Sequence, residues 1–158
     1  MARDRGEAAV TEARAPGVTL RRAAPGDAQT VFAWRNDPFI VRLGSSRANV
    51  AWAEHLAWFE AKLADRDCLM LIVQQGAQPI GQVRFDRQAD GGCVISVYLL
   101  EAHVGKGLGV EAIRQGCRQA VLALGAPRIL ACVREENLPG RKAFAKAGFA
   151  SAVRASCP

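Results

Sequence analysis

His103-Val104-Gly105-Lys106-Gly107-Leu108-Gly109 is the stretch that decides the fold. Its three glycines at alternate positions let the backbone turn sharply and come close to a ligand. It follows a strand-like run, Cys93 to Leu100, and leads into a helix expected from about Val110 to Leu124. Gly125 and Pro127 end that helix. Free N–H groups and the dipole at the helix start favour a phosphate lying in the loop. Two other glycine loops are excluded by spacing. A Walker loop needs G-x-x-x-x-G-K-[ST], and neither Lys-Ser nor Lys-Thr follows here. A dinucleotide fingerprint needs G-x-G-x-x-G near the first strand, whereas this loop comes after four expected strands. Taken alone, the segment also reads as a helix start that happens to carry glycines.

Towards the N-terminus the pattern gives strands. Ile80 to Phe85 alternates with Gln82 and Arg84, as a half-buried strand does. Cys68 to Val73 is a continuous apolar run, read as a buried strand. Short turns at Gln75–Pro79 and Asp90–Gly92 make the three an antiparallel meander. Before them, Asn49 is expected to cap a helix whose face carries Trp52, Leu56, Phe59 and Leu63. Val18 to Arg22 reads as a first strand. Asp27 then caps a helix that runs to about Asn36 and is stopped by Asp37-Pro38. Towards the C-terminus come a strand at Arg128 to Val133, a helix at Leu138 to Ala147 stopped by Gly148, and a short strand at Phe149 to Val153. The class is α/β, a mixed and mostly antiparallel sheet flanked by four helices.

The chain has 158 residues, enough for one domain with a real core. Residues 1–17 are read as a disordered leader or expression remnant, and 18–158 as the folded domain. The first 17 residues have no apolar core and are no secretory signal. No apolar stretch has the length of a membrane span. The net charge of +6 sits on the folded part, since Arg3, Arg5 and Arg14 offset Asp4, Glu7 and Glu12. It reads either as a scattered Arg-rich surface or as attraction for an anionic ligand. No dense basic run suggests nucleic acid. The five cysteines form no C-x-x-C pair and lie far from the two histidines, so no metal site is expected. An odd count without a signal points to reduced thiols in the cytoplasm. Cys68, Cys93 and Cys132 fall in apolar runs and read as packing.

A second segment joins the loop. Asn137-Leu138-Pro139-Gly140-Arg141-Lys142-Ala143-Phe144-Ala145-Lys146-Ala147-Gly148-Phe149 resembles the N-x-x-[SA]-x-x-x-[YF]-x-K-x-G-F ending of the GNAT N-acetyltransferases. The first segment resembles their acetyl-CoA pyrophosphate loop, [RQ]-x-x-G-x-[GA]. One helix and one strand separate the two, and the resemblance covers about Val18 to Val153. It implies a GNAT fold and acetyl-CoA as cosubstrate. It implies that the amides of Gly105, Lys106, Gly107, Leu108 and Gly109 bind the pyrophosphate. The backbone of Val97 to Leu99 would bind the pantetheine arm and polarise the thioester carbonyl, on a strand that often bulges in this family. Asn137 would bind pantetheine or a water; it also reads as a plain helix cap.

The chain departs from the family at three places. Val104 stands where Arg or Gln contributes to the phosphate site. Phe144 stands where a tyrosine protonates the departing thiolate, and is expected to pack against the pantetheine end. Cys93 or Val94 stands where a glutamate acts as base. Tyr98 and Ser96 are the candidates for proton donation or relay. His55, on the second expected helix, is the candidate base, though a structural histidine fits equally. Glu54, Asp86 and Glu135 are further possibilities.

For the acceptor, Trp34-Arg35-Asn36-Asp37-Pro38, His55-Leu56-Ala57-Trp58-Phe59 and Pro79 to Phe85 resemble the GNAT branch that acetylates a nucleotide-linked amino sugar in the pseudaminic acid pathway. That resemblance implies a sugar-nucleotide pocket with Trp34, Arg35 and Arg84 against substrate, and the 4-amino group of a UDP-linked deoxy-amino sugar as acceptor. The Trp-Arg-Asn-Asp portion also occurs in ribosomal-protein N-terminal acetyltransferases. A protein N-terminal or polyamine acetyltransferase therefore stays open, as does an acyl-CoA-binding module without turnover. A homodimer is left open too.

Overall fold

The computed structural model describes residues 17–44 and 48–152. Apart from Gly17, the expected leader lies outside them, as do Val153 and Cys157. One five-stranded sheet runs in the order β1 (Thr19–Arg22), β2 (Cys68–Gln75), β3 (Gln78–Arg87), β4 (Cys93–Leu99), β5 (Ile129–Ala131). The first four are antiparallel neighbours, and β5 joins β4 in parallel. Between them lie α1 (Ala28–Arg35), α2 (Pro38–Leu43), α3 (Trp52–Ala64), α4 (Leu108–Leu124) and α5 (Leu138–Ala147).

Each face of the sheet has its own core. Leu69, Leu71 and Val73 of β2 point to the side of α4 and α5, with Val83, Phe85, Ile95 and Leu99. Met70 and Ile72 point the other way, under Val31, Trp34, Ile40 and Phe59 of α1 to α3. This period-2 division explains the unbroken apolar run of β2: with both faces covered, no position is left for a polar residue. The same covering overturns the half-solvated expectation for β3, where Gln82 is only 3% exposed. Gly116 lets α4 settle on the sheet, since a Cβ there would lie 3.1 Å from Val83 and 3.2 Å from Phe85.

Several local expectations are corrected. Asp37-Pro38 stops α1 as expected, but it also starts α2, a helix the sequence did not announce. Asp37 accepts from the Phe39 and Ile40 amides (2.9 and 3.4 Å), and a proline in the first turn suits a helix start. There are thus five α-helices among the described residues, not four. Asp27 stands at the start of α1 without capping it, because its carboxylate takes two bonds from Arg21, both 2.8 Å, and one from the Ala24 amide. α3 begins at Trp52 with Ala51 before it, so Asn49 is no cap. Its inward face is set by His55 and Phe59, and Trp52 is 43% exposed. Phe149 to Ala152 form no strand; Phe149 instead packs edge-on to Phe144, ring centroids 5.0 Å apart. β4 pairs β3 in unbroken register from Gly81↔Leu99 to Arg87↔Cys93, so no bulge interrupts that ladder. Cys68, Cys93 and Cys117 are free thiols, but Cys132 is in a disulfide. An odd count requires one leftover thiol; it does not require that all be reduced.

Candidate active site

β5 leaves β4 early. Their pairing covers Cys93↔Ile129, Val94↔Leu130 and Ile95↔Ala131, while β4 runs on to Leu99. The Cys93 amide donates to the Arg128 carbonyl on the β5 side (3.0 Å), and the Leu100 amide donates to Ile80 on the β3 side (2.9 Å). Main-chain groups alternate sides along a strand. Odd-numbered residues therefore face the β5 edge, and beyond Ile95 those are Val97 and Leu99. They present their N–H and C=O groups to the gap where the strands part.

That gap ends at the glycine loop. Glu101–His103 form a 3-10 turn, and Gly105 and Gly107 follow at φ +77° and +78°. These left-handed values favour glycine at both positions. A Cβ at either would meet nothing within 4 Å, so the loop faces open space. α4 starts at Leu108 rather than Val110, and the Glu111 amide is the first to bond back, to Gly107 (3.3 Å). The amides of Leu108, Gly109 and Val110 thus belong to the unpaired first turn of a long helix. Leu108 is buried in the core, Lys106 is exposed and Val104 half-buried. A pyrophosphate over the first turn of α4 and an extended chain along Val97 and Leu99 fit these donors.

Two residues assigned to the cofactor also make contacts within the protein. Asn137 Oδ1 accepts from the Gly140 amide (3.0 Å), and its Nδ2 donates to the Leu43 carbonyl (3.4 Å). Its side chain caps α5 and ties it to the end of α2. Phe144 is buried in the core on the α4 side of the sheet, against Phe149.

On the other face a second group assembles beside β4. Tyr98 donates to Gln82 Oε1 at 2.6 Å, a length that suits O–H···O. Burial pushes the Tyr98 phenol above its ordinary range, against the nearby Arg35 and Arg84 charges, so it keeps its proton. Trp34 meets the Tyr98 ring edge-on at 6.2 Å. Gln82 Nε2 is buried without a hydrogen-bond partner. Arg35 lies over the Trp58 ring at 4.1 Å, and Arg84 approaches the same ring at 5.1 Å. Arg84 Nε is held by Asp86 (2.7 Å), which also takes Lys62 (2.6 Å). Burial works against the Asp86 charge, but Arg84 and Lys62 outweigh it and hold the carboxyl below its usual range. Among the described residues no carboxylate pairs with Arg35, and burial lowers its hold on its proton. Ser96 sits exposed opposite Arg84.

His55 is a different matter from a base. It is fully buried, its Nε2 donates to the Ala28 carbonyl (2.8 Å), and its Nδ1 accepts from Arg35 (3.2 Å). The buried ring is out of reach of an amine, and burial lowers its basicity further. Tyr98, Trp34, Arg35 and Arg84, all named from the sequence, thus lie together on one face of the sheet. His55 lies buried beneath them with both ring nitrogens engaged, and Gln82 joins them although the sequence did not mark it as a site residue. Gln82 was legible only as the polar half of an alternating strand. The signal for more was its place two residues before Arg84 on a strand paired to Tyr98.

Among the described residues no cluster of His, Cys, Asp or Glu could hold a metal ion, and no helix is long and apolar enough to cross a membrane. No curated protein sequence matches the chain. Solved structures do. The aminoglycoside acetyltransferase AAC(6')-Ib, with ribostamycin and coenzyme A, has a TM-score of 0.76 at 22% identity, over 85% of this chain and 83% of its own. Spermidine N-acetyltransferase from Vibrio cholerae, with CoA and spermine, gives 0.78 at 18% identity, over 86% and 82%. RimJ from Mycobacterium smegmatis, with CoA-disulfide, gives 0.71 at 21% identity, over 85% and 71%. At such identities the likeness speaks for the fold alone. The family model for the acetyltransferase (GNAT) domain, however, matches residues 18–150 of the sequence itself, across the parted strands and the glycine loop, and the chain belongs to that family.

Proposed function

We propose that this acetyl-CoA-dependent N-acetyltransferase acts on a small amine that carries an anionic group, and that the acceptor is the 4-amino group of a UDP-linked deoxy-amino sugar. The observation that carries the reading is the pair of guanidinium groups, Arg35 and Arg84, against Trp58. Asp86 holds Arg84 but shares its single charge with Lys62, so the group around Arg35 keeps a net positive charge, and a guanidinium matches a phosphate bidentately. The unpaired Gln82 Nε2 adds a neutral donor beside them. A polycation such as spermine, which the Vibrio cholerae enzyme was solved with, would call for carboxylates instead. Asp86 is near, but Lys62 and Arg84 already neutralise it.

Acetyl-CoA supplies the activated acetyl thioester. The residues of this chain position and polarise it. Amides of Gly105 to Gly109 hold the pyrophosphate, and Val97 and Leu99 hold the pantetheine arm and direct an N–H at the thioester carbonyl. Bringing amine and carbonyl together provides most of the acceleration. Tyr98, kept protonated by burial, turns its hydroxyl from Gln82 Oε1 to the leaving sulfur and gives it a proton as the C–S bond breaks. The attacking nitrogen, cationic once the C–N bond has formed, loses a proton to water, and the phenolate is reprotonated from water, with Ser96 on the same face of β4. With His55 sealed, the amine arrives already neutral, having lost its proton to water. The activity should therefore climb with pH until the amine itself is deprotonated.

The test is thiol release from acetyl-CoA with a panel of UDP-amino sugars, spermidine, aminoglycosides and N-terminal peptides. The reading expects kcat/KM for a UDP-amino sugar to exceed the others by about 10²-fold, the scale of one lost charge-assisted contact. Preference for spermidine would overturn it.

A further inference from the structure

His55 has been left with no chemistry, yet its surroundings are built with care. Four aromatic rings enclose it: Phe32, Trp52, Trp58 and Phe59, with centroids 5.4 to 5.9 Å from its own. Its Nε2 proton is committed to the Ala28 carbonyl at 2.8 Å. That bond fixes the tautomer, so Nδ1 keeps its lone pair and accepts from Arg35 Nη1 at 3.2 Å. This is the one side-chain hydrogen bond that Arg35 makes among the described residues.

We propose that His55 is a positioning residue whose unprotonated Nδ1 holds the Arg35 guanidinium over Trp58, so that the site receives an anionic group only while that nitrogen carries no proton. The proposal rests on the reading of Arg35 as an anion-binding group. A proton taken from solvent can go only to Nδ1, since Nε2 already has one. The imidazolium then faces Arg35 donor to donor, with two positive charges at hydrogen-bonding distance, and the guanidinium is driven off the ring, taking its donors away from the place where the anion binds.

The neighbours of His55 set where this happens. α3 packs on α1 and β2. α1 contributes Arg35, whose charge disfavours a second one, and at its start Asp27, which Arg21 holds. β2 contributes Cys68, whose thiol burial pushes up to about 12, so it stays neutral. On α3 itself Glu54 is exposed and Lys62 is paired with Asp86. No carboxylate approaches the ring to support an imidazolium. Burial first, and Arg35 after it, lowers the basicity of His55 below the ordinary 6.5. The site is therefore open at neutral pH and closes only in acid, below the ordinary imidazole range.

The probe is UDP-glucose, which has no amine to titrate and whose two diester phosphates keep their charge across the range. Calorimetry with CoA-saturated protein between pH 8 and 5 should show affinity constant above about pH 6.5. It should then weaken progressively as pH falls below that. His55→Asn, whose side-chain oxygen can stand in for Nδ1 and does not titrate, should bind within about threefold of wild type at neutral pH and stay flat to pH 5. Sulfate, also non-titrating, is the second probe. If UDP-glucose fails at every pH but sulfate shows the acid loss in wild type and not in His55→Asn, the positioning role stands and the nucleotide-sugar reading falls. Nitrogen-15 spectra should show the Nε2–H tautomer at neutral pH. An Nδ1–H tautomer, or pH-independent affinity for both probes, overturns the proposal.

Discussion

At the scale of the residue, the acid and the anion site are separable. Tyr98 touches Gln82 and Trp34, whereas Arg35 touches His55 and Trp58. Tyr98→Phe removes only the hydroxyl. It should lower kcat by about 10²-fold, the usual worth of a general acid, with KM for the acceptor little changed, as steady-state kinetics at saturating acetyl-CoA would show. Arg35→Ala should do the reverse, raising KM with kcat nearly intact. If Tyr98→Phe is indistinguishable from wild type, the thiolate takes its proton from elsewhere and Ser96 is the next group to test. Tyr98, Arg35 and Arg84 could be named as candidates from the sequence because the chemistry of these residue types is intrinsic. The task of His55 could not, because it depends on which atoms its two nitrogens meet, and those come from Ala28 and Arg35, at least 20 positions away.

In the proposed function, cofactor binding depends on the glycine loop and α4. Gly107→Val places a branched residue at φ +78°, which costs about 1–2 kcal/mol. The new Cβ meets no protein atom within 4 Å. The fold should therefore survive while the pyrophosphate is pushed away. Calorimetry should find CoA binding about tenfold weaker or worse, the scale of one charge-assisted hydrogen bond, in a variant with an unchanged far-ultraviolet spectrum. This element was legible early, because glycine spacing and helix periodicity are local signals. So was α5, read as Leu138 to Ala147 and found there. What escaped was settled at a distance. α2 was missed because a proline that ends one helix also suits the start of the next. The expected last strand failed because Phe149 finds a better place on Phe144 than on the sheet edge. Gln82 was placed in solvent because alternation cannot show that a second layer covers the outer face.

For the molecule as a whole, acid acts in two stages. His55 is less basic folded than unfolded, so its contribution to stability is complete above 6.5 and is lost as pH falls through its lower folded value. Asp86 and Asp27 are more acidic folded than unfolded, so theirs is complete above 3.8 and is lost below it. Thermal melts from pH 8 to 3 should show two declines in Tm, one beginning near pH 6.5 and one near pH 4. His55→Asn should abolish the first and leave the second. The parting of β4 from β5 has a further consequence when the molecule is viewed as a map of how fast its amides trade protons with water. β2 is paired on both edges and buried on both faces, so its amides should exchange only when the whole domain opens. In β4 the map should alternate. Ser96 and Tyr98 bond towards β3 and should be slow; Val97 and Leu99, on the same strand, face the gap and should be fast. Addition of CoA should slow those two and leave their even-numbered neighbours unchanged, which would make a single strand report, residue by residue, whether the pantetheine arm is in place.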